Sequence, residues 1–460
     1  MKKTANLSSF LAKSKIKAND IEHKRKLAFN IDKYDAAVPN GQAQFADLEL
    51  ARKKARNIKW KAIENLGAYL EAFEKNFTAN GGKVIWAETA DEALKAVGNI
   101  CKEKNAKLVV KSKSMATEEI HLNDYLQNKG ITSIETDLGE YIQQLDNEPP
   151  YHIVTPAMHK SKEDVARLFH EHLGTAPGLT PEELTQAARK KLRPEYTRAD
   201  IGITGANFIL PDIGGICVSE NEGNARLSTS FPKTHIVIVG IEKMLTSVND
   251  LRIMWPLLAT YGTGQKLTVY NSIFTGPAQS GETDGPTEMH VILLDNGRSN
   301  LLHTNMRESL YCIRCGACLN ACPVYKNIGG HTYGTTYSGP IGSVIAPHLQ
   351  GMSEFGHLSY ASSLCGKCTD VCPVKISIHE LLLENRHIAV KKNLNGFSEN
   401  MGWAIWTRAM LSRRLMNSAG DALKQKLVNK LFGESWGLHR SMPQFADKSF
   451  NKLWKERNKA

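Results

Sequence analysis

The chain has 460 residues, 42% of them hydrophobic and 23% charged, with only 17 prolines; this balance excludes wholesale disorder, and the length favours two or more domains. No apolar run reaches the roughly 18 residues of a membrane span, and the start, MKKTANLSSFLAKSK, lacks the apolar core of a secretion signal, so a cytoplasmic protein is expected. The net charge of +11 belongs to the ends: residues 1–60 carry 14 Lys/Arg against 6 Asp/Glu, residues 391–460 carry 14 against 5, and the stretch between is net acidic.

Residues 1–70 read as helical and end in the strong run WKAIENLGAYLEAFEKNF. From about residue 80, short apolar or β-branched runs (KVIWAE, KLVVK, TSIET, HIVT) alternate with helical stretches such as ADEALKAVGNICKEK and SMATEEIHLNDYLQNK. Strand–helix alternation predicts a mainly parallel α/β sheet. Further strands are expected at DIGIT, GGICVS, THIVIVGI, KLTVYNS and MHVILLD. Some of these follow one another without helices, so the sheet should be mixed. The pattern ends near Gly297. Beyond Cys312 there is little strand signal, only a Gly-rich stretch and a long helical run, IHELLLENRHIAVKK. Residues 391–460 hold four of the seven tryptophans (Trp403, Trp406, Trp436, Trp454) and read as helices packing on another unit. The expected division is a helical segment 1–75, an α/β domain 76–298, a cluster-binding domain 299–390 and a helical region 391–460.

The basic ends are interspersed with Leu, Ala, Phe and Trp, as solvated faces of amphipathic helices require. No nucleic-acid-binding motif accompanies them; binding an anionic membrane surface and docking onto acidic subunits are the other uses for such charge.

Seven of the nine cysteines fall between Cys312 and Cys372. The first motif is Cys312-x2-Cys315-x2-Cys318-x3-Cys322-Pro323 and the second is Cys365-x2-Cys368-x3-Cys372-Pro373. Short x2 turns bring three sulfurs to three corners of one iron–sulfur cube, while the thiolate before Pro leaves towards the other cluster. Zinc explains neither the third cysteine at the same spacing nor the two Cys-Pro endings. The crossover rule assigns Cys312, Cys315, Cys318 and Cys372 to a first cluster and Cys322, Cys365 and Cys368 to a second. Two [4Fe–4S] clusters want eight thiolates, and this set has seven. The missing position, three residues before Cys365, is Ser362; His357 and Cys217 are candidates on chemistry alone. The second cluster is therefore either [4Fe–4S] with a non-cysteine ligand or [3Fe–4S]. Forty-two residues separate Cys322 from Cys365, more than a compact two-cluster ferredoxin needs, which favours a mostly helical module.

The α/β region has no G-x-G-x-x-G fingerprint, no Walker A loop and no H-E-x-x-H helix. His170 and His172 flank Glu171 and face two directions on a helix, so a solvated helix end is expected there. The segment GITGANFILPDIGGICVSENEGNAR runs from strands into polar turns holding Glu220, Asn221, Glu222, Asn224 and Arg226. Together with Lys111, Ser112 and Lys113 at another strand end, these residues form a candidate small-anion site, because open α/β sheets bind ligands at such ends. Turn and capping chemistry explains the same residue types. No catalytic residue is singled out.

KSKSMATEEI, ADIGITGANFILPDIGGICVSENEGNARL, YCIRCGACLNACPVYKNIGGHTYGTTYSGPIG and SLCGKCTDVCPVKI together resemble the lactate utilization protein B family across nearly the whole chain. The resemblance implies an α/β domain similar to the ribose-phosphate isomerase/CoA-transferase-like superfamily, followed by an α-helical ferredoxin domain with two clusters on the seven cysteines. It also implies partners: a cysteine-rich subunit and a smaller protein with a related α/β domain, acting with it to oxidise L-lactate to pyruvate and pass electrons to an acceptor. The rivals are a subunit serving another 2-hydroxy acid such as glycolate, a redox- or iron-sensing regulator, and a CoA-transferase-like enzyme using Glu220 or Glu222.

Overall fold

The computed structural model describes residues 4–417, 421–436 and 440–458. Residues 3–392 make one compact unit and residues 393–460 another. The chain opens with four helices: α1 (Ala5–Asn19), α2 (Ile21–Gln42), α3 (Leu48–Glu64) and α4 (Leu66–Ala79). Thr4, Asp20 and Asp47 start the first three by accepting backbone N–H groups from the first turn.

Among the described residues nine strands follow: β1 (Lys83–Ala87), β2 (Leu108–Lys111), β3 (Thr132–Glu135), β4 (Ile201–Thr204), β5 (Phe208–Leu210), β6 (Gly215–Glu220), β7 (Thr234–Gly240), β8 (Tyr270–Phe274) and β9 (Glu288–Leu294). Six build a wholly parallel sheet in the order β1-β9-β7-β4-β2-β3. Its central strands are apolar on both faces. Ile236, Ile238, Ile292 and Leu294 enter one core with Val97 and Leu126, while Val237, Val239, Val291 and Leu293 enter the other. Alternation by twos along a strand buried on both sides produces this split.

The antiparallel part expected within the sheet is a separate three-stranded sheet, β5-β6-β8. The short turn between Leu210 and Gly215 permits only a hairpin, because a parallel partner would need a crossover. The HIVT run is no strand. His152 folds back so that Nδ1 accepts the N–H groups of Val154 (3.1 Å) and Thr155 (3.2 Å), which uses locally the donors a strand would offer its neighbour.

The larger core does not stop at the sheet. It runs from Leu27, Ile31 and Phe73 of the N-terminal helices, through Val237 and Val291, to Leu319, Val344 and Leu382 of the cysteine-rich part. The N-terminal basic residues are partly consumed inside. Arg52 donates to the carbonyls of Asp370 (2.6 Å) and Cys372 (2.9 Å), Arg56 pairs with Glu308 and the Lys375 carbonyl, and buried Lys59 donates to the carbonyls of Glu242 (2.5 Å) and Met244 (3.0 Å). α3 thus divides its charge: Arg52, Arg56 and Lys59 turn to the protein, while Lys53, Lys54 and Lys61 form the exposed basic face expected of an amphipathic helix.

In the second unit, helices span Phe397–Leu411, Arg413–Asn417, Asp421–Trp436 and Phe450–Arg457. The rings of Trp403 and Trp406 meet edge-on at 5.6 Å, and the Trp436 side chain lies outside the described residues. Among the described residues, no helix is long and apolar enough to cross a membrane.

Candidate metal centre and adjoining cavity

The two cysteine motifs repeat one backbone device. Arg314 (φ 61°) and Gly316 (φ 81°) flank Cys315 in left-handed conformations, and Leu364 (φ 54°) and Gly366 (φ 79°) flank Cys365 in the same way. Each double turn leads into a four-residue helix, Ala317–Asn320 or Lys367–Asp370, carrying the next cysteine. Pro323 then opens the helix Pro323–Ile328, and Cys322 caps it.

The chain brings Cys312, Cys315, Cys318 and Cys372 around one small cavity closed by Ile153, Ile341 and Val374. Burial raises the Cys318 thiol well above its ordinary value, and neighbouring Cys312 and Cys315 raise it further. Burial likewise pushes Cys372 up to about 12, with Cys312 adding to it. Cys322, Cys365 and Cys368 form a second group: Cys368 is raised to about 11 by burial, then by Cys322 and Cys365. All nine cysteines are free. Thiols crowded and buried in this way stay protonated unless a metal takes the proton's place, so the donor set fits an iron–sulfur cluster. Backbone N–H groups already aim at three of the sulfurs: Arg314 at Cys312 (3.4 Å), Tyr325 at Cys322 (3.5 Å) and Ile376 at Cys372 (3.3 Å).

The proposed stand-ins for an eighth thiolate fare differently. Cys217 lies in β6 between Phe208 and Ile273, within the apolar core, and burial raises its thiol. Strand pairing thus commits it to packing. Ser362 Oγ accepts the Leu364 N–H at 3.1 Å, and the His357 ring packs 5.3 Å from Phe10.

A larger cavity of about 390 Å³ abuts the small one, and Arg314 and Cys315 line both. It lies at the C-terminal ends of β2, β4, β6 and β7, where parallel sheets bind ligands. Its charged residues fall into two sets. Glu220, Glu222, Asp137 and Lys113 make the first. Partial desolvation, then the Asp137 carboxylate, raise Glu222 to about 7. Glu220 accepts the N–H groups of Ala225 (2.6 Å) and Arg226 (3.0 Å), a turn role.

The second set is Glu242, Lys243, Arg298 and Arg314. Arg298 is clamped by Glu119 (2.9 and 2.6 Å) and Glu242 (2.6 Å). Tyr337 donates to Glu119 at 2.6 Å, and the Arg314 guanidinium lies 4.4 Å above the Tyr337 ring. Gly240 makes room for this network, since a Cβ there would stand 2.1 Å from Glu242 Oε2. Burial, then Arg314, lower Lys243 to about 8.

The structure splits the small-anion site drawn from sequence. Glu220, Asn221, Glu222 and Asn224 line the cavity, but two are carboxylates. Arg226 does not line it; its guanidinium stacks 5.4 Å from the Tyr270 ring. Lys111 is fully buried, with Nζ 2.8 Å from Glu135 and 3.0 Å from Glu118, so the strand that carries it hides it among acids and leaves it nothing to offer an anion. His170 and His172 end the helix Lys162–Leu173; His170 bonds the Thr175 carbonyl (2.6 Å), as at an ordinary helix end.

Sequence reasoning missed Lys243, Arg298 and Tyr337, which carry no local motif, and passed over Arg314 inside a spacer. It also missed Glu148, His159 and His331, which the fold gathers. Lys160 already neutralises that carboxylate at 2.9 Å, and His331 bonds the Pro149 carbonyl at 2.7 Å.

Residues 70–294 match the LUD domain and residues 308–376 the 4Fe-4S dicluster domain. Lactate utilization protein B of Geobacillus sp. (strain WCH70) is 49% identical over 342 residues, 74% of this chain and 72% of that protein. Its Bacillus subtilis (strain 168) counterpart is 43% identical over 402 residues, 87% and 81% of the two chains. An uncharacterized electron transport protein of Escherichia coli (strain K12) is 46% identical over 348 residues, 76% and 73%. A solved DUF162 family protein from Deinococcus radiodurans aligns at 16% identity and a TM-score of 0.28 over 50% of this chain and 98% of its own, too low to argue from. With cysteine groups, parallel sheet and relatives in agreement, this chain belongs to the lactate utilization protein B family.

Proposed function

We propose that the chain is the iron–sulfur electron-transfer subunit of a system that oxidises L-lactate to pyruvate. The observation that carries this is the gathering of Cys312, Cys315, Cys318 and Cys372 about one cavity, with Cys322, Cys365 and Cys368 grouped apart. The first group would hold one [4Fe–4S] cluster. The second would hold another with a non-cysteine ligand, or a [3Fe–4S] cluster. When bound, such clusters supply one-electron acceptors, and two of them in one module suit a two-electron substrate. The chain's own part is to fix the sulfurs by the double turns, to donate N–H groups to them, and to pin the Cys372 carbonyl with Arg52.

Partners of the kind the family resemblance implies, a cysteine-rich subunit and a smaller α/β subunit, would complete the system. The likeness of the α/β domain to ribose-phosphate isomerase and CoA-transferase folds, and domain limits at 76–298 and 299–390, belong to the same reading.

The test is iron and sulfide content with EPR on anaerobically purified protein, before and after dithionite or L-lactate plus partners. About eight irons mark two [4Fe–4S] groups and about seven a [3Fe–4S] second group. Cys372→Ser should alter the same signal as Cys312→Ser, and Cys365→Ser the other. A zinc-loaded, iron-free protein would overturn the reading.

A further inference from the structure

We propose that the cationic end of the 390 Å³ cavity, formed by Lys243 and the free edge of Arg314, binds the carboxylate of a small 2-hydroxy or 2-oxo acid beside the first cysteine group. The proposal deepens the lactate-oxidation reading and rests on it for the acid's class.

The argument is one of unmatched charge in a closed place. Arg298 spends its guanidinium on Glu119 and Glu242. Glu242 gives its Oε2 to Arg298, and its Oε1 reaches Arg314 only by a long contact, Nη2 at 3.5 Å. The Arg314 side chain is 9% exposed, and its Nη1 is buried with no hydrogen-bond partner among the described residues. A buried guanidinium donor left empty is costly, and the usual remedy is an acceptor supplied by a ligand. Lys243 lines the same cavity, and among the described residues its ammonium has no hydrogen-bond or ion-pair partner. Two cations with vacant donors, one of them a planar fork, match a carboxylate.

Position agrees with charge. Glu222 is influenced by Asp137, Lys113 and Glu220, and Lys243 by Arg314, Glu242 and Arg298, so the cationic pair is grouped apart from the mainly acidic set in the same lining. Cys315 lines the cavity, and Gly262, another lining residue, lies close by, since a Cβ built on it would stand 3.6 Å from the Cys315 carbonyl oxygen. Arg314 touches both cavities, and an acid held by it lies next to the first cysteine group. The volume exceeds that of a three-carbon acid and leaves space for a longer 2-hydroxy acid.

The test is calorimetric titration of the oxidised, iron-loaded full chain with pyruvate and with L-lactate, with acetate as the control lacking the 2-oxygen. Lys243→Met should weaken pyruvate binding about tenfold or more, the loss of one charge-assisted hydrogen bond, with iron content and EPR signals unchanged. Arg314→Lys, which keeps charge but loses the fork, should weaken it less than Arg314→Gln. Equal affinity in wild type and Lys243→Met, or no binding by the wild type, would overturn the proposal. So would a Lys243→Met variant that changes only the potential of the first cluster, since the lysine would then be a counter-charge to the cluster. Lactate-dependent cluster reduction in the presence of partners, measured on the same variants, separates the two readings. If reduction persists while binding is absent, the site is wrong and the function stands; if binding persists without any reducible cluster, the reverse holds.

Discussion

Replacing Glu119 by Gln tests the joint between the sheet and the cysteine-rich segment. Glu119 is all but inaccessible and accepts four hydrogen bonds, two from Arg298, one from Asn296 (2.7 Å) and one from Tyr337. Its partners come from two places: the loop after β9, which carries Asn296 and Arg298, and the chain between the two cysteine motifs, which carries Tyr337. An amide of the same shape removes the charge and turns a donor towards Arg298 or Tyr337. Arg298 would keep Glu242 alone, leaving excess buried charge, and breaking a buried pair of this kind costs about 3–5 kcal/mol. That is a large part of the roughly 5–15 kcal/mol that holds a domain folded. The assay is guanidinium chloride unfolding, followed by circular dichroism and by tryptophan fluorescence to check that the transitions coincide.

The same variant has a pH signature. Burial is the largest influence and raises both Glu119 and Glu242, but Arg298 with Asn296 and Tyr337 outweigh it at Glu119, and Arg298, Arg314 and Lys243 together outweigh it at Glu242, so Glu119 lies below the usual carboxylate value and Glu242 is near 2. Their stabilisation is present above the unfolded value of about 4.5 and is lost as pH falls towards 2. Glu119→Gln should flatten that acid limb. A loss under about 1 kcal/mol, the worth of an exposed pair, would refute the account of a dry, charge-matched joint.

Two further predictions follow from the site. Glu222 is held near 7, above its unfolded value, so its cost is absent below about pH 4.5 and grows as pH rises through 7. Glu222→Gln should match wild type near pH 4.5 and be more stable at pH 8, by about 1 kcal/mol after allowance for solvent screening; thermal unfolding at both pH values checks this, and an equal offset at both would contradict it. Arg52→Ala removes the clamp on the Cys372 carbonyl, costing about 1–3 kcal/mol, and should speed the loss of visible absorbance under an iron chelator. An unchanged rate would mean that the cysteine loop holds itself.

Much of this protein was legible one segment at a time. The x2 and x3 cysteine spacings, the strand runs of β1, β2, β3, β4, β7 and β9, and the capped N-terminal helices are local patterns, because turn geometry, side-chain alternation and end-capping act within a few residues. The HIVT run misled for the same reason: its composition is that of a strand, but His152 satisfies the neighbouring N–H groups from within. What needed the tertiary structure was everything set by charges meeting from afar. Lys111 ends β2 and Lys243 follows β7 by three residues; one is walled in by Glu118 and Glu135, and the other lines a cavity and, among the described residues, has no hydrogen-bond or ion-pair partner. Arg52 and Arg56 read as a basic surface until the fold laid α3 against the second cysteine motif. Burial and pairing decide whether a charge is structural or available, and both depend on residues hundreds of positions apart, so spacing along the chain determined the metal chemistry while only the folded core decided where an anion can go.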